Sequence, residues 1–198
     1  MEMWDLYDVD RIPTGGTVRR QNGLPEGQLH VVVHVCLFDE AGRLLIQRRD
    51  EGKQNWPGLW DFSVGGSVHA GETSRAGAVR EVREELGLEL DLARPSFTFN
   101  FQYGFDDFYL LRTDAALSDL AVPNDEVAEV RWADLGEVLQ LLRSGRDSVM
   151  VATRSATSHL NEAGRISATS MRVFMPSPMS PPCSGAAAMP PPVNPQLH

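Results

Sequence analysis

The chain has 198 residues, 42% hydrophobic and 23% charged, which is enough for one domain of roughly 140–150 residues plus some additional sequence. A net charge of −9 argues against a nucleic-acid-coating surface and against attraction to an anionic membrane, and no run of about 18 apolar residues is present to span one. Only two cysteines occur, Cys36 and Cys183, without paired spacing; that excludes a disulfide framework or zinc cage and, with the acidic start MEMWDLYDVD, fits a cytoplasmic protein.

In chain order, residues 3–20 read as a short hairpin, MWDLYD turning through Pro13-Thr14-Gly15-Gly16 into TVRR, within an N-terminal extension over 1–27. Trp4 and Leu6 on this hairpin either pair with another subunit, giving a homodimer, or pack on the chain's own sheet. Residues 28–38 (QLHVVVHVCLF) are nearly all apolar and predict a central strand, with Cys36 as a small core residue. A turn at 39–42 and a return strand at 43–48 follow. Residues 49–59 form a loop around Pro57-Gly58, and 60–64 form a strand running into Gly65 and Gly66. Further strands are expected at 88–92, about 97–103, 105–112 and 127–132. Asp134-x-x-Glu137 is a capping box for a last helix ending near Arg143. No internal repeat is present. The domain is expected to fill 1–145. Residues 146–198 make a low-complexity tail, whose last 23 residues hold eight of the thirteen prolines and which is expected to be disordered. The tail region from 145 on carries four basic and two acidic residues, so the first 144 residues hold 14 basic against 25 acidic, a net −11.

Residues 73–86 (TSRAGAVREVREEL) predict a helix with Thr73 or Ser74 as N-cap and Gly87 as left-handed terminator. At about 100° per residue, Val79, Val82 and Leu86 fall within roughly 60° of one another and form a buried stripe. From Glu81, Glu84 lies near −60° and Glu85 near +40° by the same rotation, so three carboxylates share one face, expected to point away from the core. Glu81 and Glu85 repel one another at i,i+4, and a divalent cation with hard oxygen ligands is the natural compensation. The plain meaning of such a charge run is a solvated face. Gly66, Glu72, Arg80 and Gly87 in fixed relation to it argue for a site instead. Arg80 is spaced to meet Glu84 and orient it, and the two glycines are expected to let the backbone turn sharply beside bound phosphate.

Gly66, Glu72, Arg80, Glu81, Val82, Glu84, Glu85, Gly87 and Leu88 together fill the frame G-x5-E-x7-R-E-V-x-E-E-x-G-L. This frame resembles the Nudix box of hydrolases that cleave a nucleoside diphosphate linked to another moiety. The resemblance implies an α/β fold, an α/β/α sandwich around a mixed β-sheet. It also implies an Mg²⁺ or Mn²⁺ cofactor held by Glu81, Glu84 and Glu85, with Glu72 and Arg80 supporting the site and a small-molecule diphosphate as substrate. The general base is either one of these carboxylates or an acid outside the box. Glu126 is the best outside candidate, and an ordinary surface acid at a strand start is its other reading.

The run L-I-Q-R-R-x3-K-x2-W-P-G-L-W-D-F-S-V-G-G and the segment N-D-E-V-x4-W-A-D-L are similar to the branch that includes isopentenyl-diphosphate isomerase. That similarity implies Arg49 and Lys53 as diphosphate contacts; both are equally readable as surface loop charges. The departures favour hydrolysis. The isomerase's catalytic cysteine falls at Gly65, its metal-binding histidine at Ser67, and its second acidic pair near Gln102 and Gly104. His30 matches an isomerase ligand position but stands in an apolar strand, where a core histidine is the usual finding; His34 shares its face. His69 either touches phosphate or faces solvent, and Trp56 either covers the substrate's other moiety or is a loop residue. Isomerase-like activity and a non-catalytic nucleotide-binding module are the alternatives to a diphosphate hydrolase.

Overall fold

A computed structural model describes residues 2–144; the expected proline-rich tail and Cys183 lie outside the described residues. The nine strands are β1 (Met3–Tyr7), β2 (Pro13–Arg19), β3 (His30–Phe38), β4 (Leu44–Arg49), β5 (Trp60–Asp61), β6 (Val64–Ser67), β7 (Phe97–Phe101), β8 (Gly104–Arg112) and β9 (Val127–Ala133); the α-helices are α1 (Ser74–Leu86) and α2 (Leu135–Ser144). β1 and β2 form a separate two-stranded sheet, and Tyr7 of β1 also makes a single β-bridge to Leu29. The remaining seven form one mixed sheet in the order β5-β4-β3-β8-β7, with β6 added to β3 and β9 to β4. β3 runs parallel to β8 and antiparallel to β4 and β6.

Alternation along β3 sends Val31, Val33, Val35 and Leu37 to one face, where they meet Ala78, Val82 and Leu86 of α1. Cys36 on the other face joins Leu44, Ile46 and Phe108, against which Val138, Leu141 and Leu142 of α2 pack. A helix on each side of a mixed sheet is the expected α/β/α sandwich. The caps are as read: Thr73 accepts from Ala76 N at 3.2 Å, Gly87 ends α1 with φ 72°, and Asp134 and Glu137 exchange the reciprocal bonds of a capping box at 2.9 Å each. No helix among the described residues is long and apolar enough to cross a membrane.

Four local expectations are corrected. The hairpin turn lies before Pro13, because Asp8 Oδ1 accepts from Asp10 N and Ile12 N and holds Arg11 at φ 62°; Pro13-Thr14-Gly15-Gly16 already belongs to β2. Residues 60–64 are not one strand. The chain leaves β4 after Asp61 and joins β3 at Val64, and Ser63 Oγ spans the gap, donating to Leu45 O at 2.6 Å and accepting from Leu37 N at 2.9 Å. Leu88, Leu90 and Leu92 do alternate into the core, but no strand forms at 88–92; the alternation records burial without a backbone partner. Gly65 and Gly66 lie inside β6, opposite His34 and Val33, instead of making a sharp turn.

The hairpin packs on its own chain. Leu6 is buried, Trp4 stacks on His30 with centroids 4.3 Å apart, and Arg11 forks onto Asp107 at 2.8 and 2.5 Å.

Candidate active site

One wall of the site is the exposed flank of α1, the other is β6, and the requirement for glycine in β6 comes from how closely they approach. A Cβ at residue 66 would overlap the Glu81 carboxylate, and one at residue 65 would stand 2.8 Å from the His34 ring. The glycines therefore serve side-chain approach, not backbone turning.

Arg80 gathers the acids. Its guanidinium donates to Glu72 at 2.9 and 3.0 Å, Glu81 at 2.8 Å, Glu84 at 3.1 Å and the Ser67 carbonyl at 2.9 Å. Glu72 is further fixed by His69 N at 2.9 Å. Burial raises Glu72, but the Arg80 and His69 bonds outweigh it and leave its pKa below the usual carboxylate value. The three helix acids are not equally solvated, contrary to the expected outward face. Side-chain exposure is 13% at Glu81 and 49% at Glu84, and Glu85 as a residue is only 4% exposed. Burial pushes Glu81 up to about 7 against the pull of Arg80. Burial, with the Glu81 charge added, pushes Glu85 up to about 8.

Glu85 is held from behind by a residue the sequence did not single out. Gln47 of β4 donates to Glu85 Oε2 at 2.8 Å, while Gly65 N approaches the same oxygen at 3.3 Å. Gln47 Oε1 is buried without a partner. The only signal for Gln47 in the sequence was a polar residue inside an apolar strand. Asp61, opposite Gln47 in the β4–β5 pair, is also buried; burial raises its pKa despite the nearby His34 and Arg49 charges.

Arg49 belongs to this environment through Asp61, 3.7 Å away, and through the Asn55 carbonyl at 3.2 Å. Lys53 is paired with Glu126, which joins two residues that the sequence suggested separately. His30 and His34 part company: His30 stacks on Trp4, whereas His34 Nδ1 bonds Asp106 at 2.8 Å. Burial works to strip the His34 proton, and the Asp106 carboxylate outweighs it, leaving the pKa above the ordinary imidazole value. His69 lies 3.8 Å from Glu2, and Trp56 is exposed on its loop.

Among the described residues, no three His, Cys, Asp or Glu side chains stand close enough together to form a ready metal cage. Arg80 draws Glu81 and Glu84 to itself, and Gln47 draws Glu85. The donor set nonetheless suits a hard divalent cation: three carboxylates one turn or less apart, two with pKa values raised by burial and by neighbouring carboxylate charge.

The family model described as the NUDIX domain matches residues 28–152. The chain belongs to the Nudix family. It is 47% identical over 151 residues to an uncharacterized Nudix hydrolase of Listeria innocua, covering 75% of this chain and 89% of the relative. Similarity to an isopentenyl-diphosphate Delta-isomerase of Escherichia coli is 31% over 146 residues, covering 68% and 78%. Among solved structures, that of DR0079 from Deinococcus radiodurans superposes with a TM-score of 0.66 at 28% identity, covering 78% of this chain and 99% of that one. The Nudix sandwich and a Nudix-type hydrolase follow from these matches.

Proposed function

We propose that this Nudix hydrolase is divalent-cation-dependent and cleaves the diphosphate linkage of a nucleoside diphosphate derivative or a related small molecule. The observation that carries the reading is the pair of buried, charge-crowded acids, Glu81 and Glu85, beside an arginine that collects Glu72 and Glu84. Mg²⁺ or Mn²⁺, when bound, supplies the positive charge that lets a diphosphate approach this acidic flank and acidifies the attacking water. Glu81, Glu84 and Glu85 hold that charge. Arg80, anchored by Glu72, orients Glu81 and Glu84, and Gln47 orients Glu85. The backbone of Gly65 and Gly66 admits the phosphates closely, and Arg49 with Lys53 brings basic groups to the entrance. A carboxylate left free of ligation takes the water's proton, with Glu126 as the candidate outside the helix.

The similarity to isomerases supports a second reading, protonation and deprotonation of a prenyl diphosphate. Gly65 stands where that chemistry needs a thiol, and Cys36 is buried in the opposite core layer. The test is phosphate release from a panel of diphosphates with Mg²⁺ or Mn²⁺. Glu84→Gln and Glu85→Gln should each lower turnover by about 100-fold or more on whichever substrate is cleaved, because ligand charge is removed at constant shape. Wild-type rates in both variants would refute the assignment. Formation of the dimethylallyl isomer from isopentenyl diphosphate would favour the second reading.

A further inference from the structure

We infer that the outer edge of β7 is an interface between two copies of this chain. The second copy adds its own β7 antiparallel to the first and continues the sheet across a two-fold axis at Phe99.

The seven-stranded path ends in β5 on one side and β7 on the other. β5 has only two residues, whereas β7 has five, and no strand among the described residues pairs with its outer edge. Such an edge presents unpaired N–H and C=O groups, which proteins usually protect with charge, proline or a bulge. β7 has none of the three. No charged residue occurs between Arg94 and Asp106, the strand FTFNF holds no proline, and its pairing with β8 runs without a register shift. Its aromatic side chains are also left in water. Phe97 and Phe99 are 40% and 44% exposed, and Tyr103 just beyond the strand is exposed as well.

The sequence of the strand selects the occupant. FTFNF reads nearly the same in both directions, so antiparallel pairing about Phe99 sets Phe99 against Phe99, Phe97 against Phe101, and Thr98 against Asn100. Phe97 lies opposite Phe108, so by alternation the aromatic pairs gather on the α2 face and the Thr–Asn pairs on the α1 face. Aromatic pairs across neighbouring strands are favourable. Phe97 and Phe99 are already braced by Phe108, with centroids 5.0 and 5.5 Å away. The Thr98 hydroxyl donates to Asp107, and its oxygen can accept from the Asn100 amide of the second copy.

Charge points to the same edge. The first 144 residues carry a net −11, so two copies repel over most of their surface, whereas the stretch 95–105 is uncharged. Arg11 lies 3.5 Å from Thr98, which sets its exposed neighbours Val9 and Ile12 beside the strand and widens the apolar rim. The carboxylates of α1 lie over β4 and β6, away from β7, so the pairing leaves the candidate active site uncovered.

Sedimentation velocity of the full chain tests this. The wild type should form a dimer with a dissociation constant on the order of 10 µM or tighter. Phe99→Lys and Phe99→Glu each place like charges across the axis and should weaken association at least about 30-fold. An equimolar mixture of the two variants should dimerise again, because opposite charges then face one another. Hydrogen exchange of the wild type reads the same edge without a substitution: amides in Phe97–Phe101 should gain protection as protein rises from about 1 to 100 µM. A monomeric wild type overturns the inference and leaves the edge to a different protein. So does a dimer that persists in both variants, a mixture that stays monomeric, or β7 protection that ignores concentration.

Discussion

At the scale of single residues, most of the site's chemistry comes from where water is excluded. Glu84 faces solvent, whereas Glu81 and Glu85 on the same turn of helix are pressed against β6 and β4, and their raised proton affinity follows from that placement. Gly66 is the residue that permits it. Replacing Gly66 with Ala leaves an ordinary strand backbone but drives a methyl into the Glu81 carboxylate, the flexible end of a side chain that can swing away. Gly66→Ala is therefore expected to lower turnover about tenfold or more through a misplaced ligand, while stability changes by less than about 1 kcal/mol. Paired kinetic and thermal-melting measurements check this; a variant with full activity would show that the close approach has no functional weight. The three-acid pattern was visible in the sequence because helical spacing is local. Gln47 and Asp61 were not, because their role depends on which strand comes to lie behind α1.

Among the elements, the N-terminal hairpin shows how a turn can be read one register off. Pro13 through Gly16 carry strong turn composition, but Asp8 captures two backbone amides first and closes the turn earlier. Arg11, held in left-handed backbone by that turn, reaches Asp107 on β8. Burial would raise the Asp107 pKa, but the bonds from Arg11, Ser74 and Thr98 hold it below the usual carboxylate range. Arg11→Ala leaves a buried carboxylate short of its strongest partner and should destabilise the protein by about 2–3 kcal/mol in urea titrations, with Arg11→Ala/Asp107→Asn recovering part of the loss. Unchanged stability in Arg11→Ala would mean that the hairpin does not brace the sheet. The segment at 88–92 fails as a strand for the complementary reason: its leucines find a core, but the sheet is completed without it.

For the whole molecule, stability should depend on pH through His30. Burial against Trp4 and Phe101 pushes this imidazole from the ordinary 6.5 down to about 4, the Glu2 charge pulling weakly the other way. Between those values the unfolded chain holds the proton and the folded chain does not. The contribution of His30 is thus complete above about pH 6.5 and is lost as pH falls toward 4, by up to about 3 kcal/mol, against the opposite trend set by the raised pKa values of Glu81 and Glu85. Between pH 7 and pH 4.5 the wild type should lose more stability, by denaturant midpoint, than His30→Phe; an equal change in both would rule His30 out as a source.

What the sequence determined alone was whatever depends on residues near one another in the chain: the helix with its caps, the acids along one flank, the capping box of α2, and the membership of the Nudix family that those spacings announced. What only the tertiary structure decided was which distant side chains close around that flank. Strand order brings Gln47 of β4 behind Glu85, while on the other face of the sheet parallel pairing of β3 with β8 puts Asp106 on His34. Strand partners are chosen by packing the whole sheet between two helices, and no short stretch of chain carries that information.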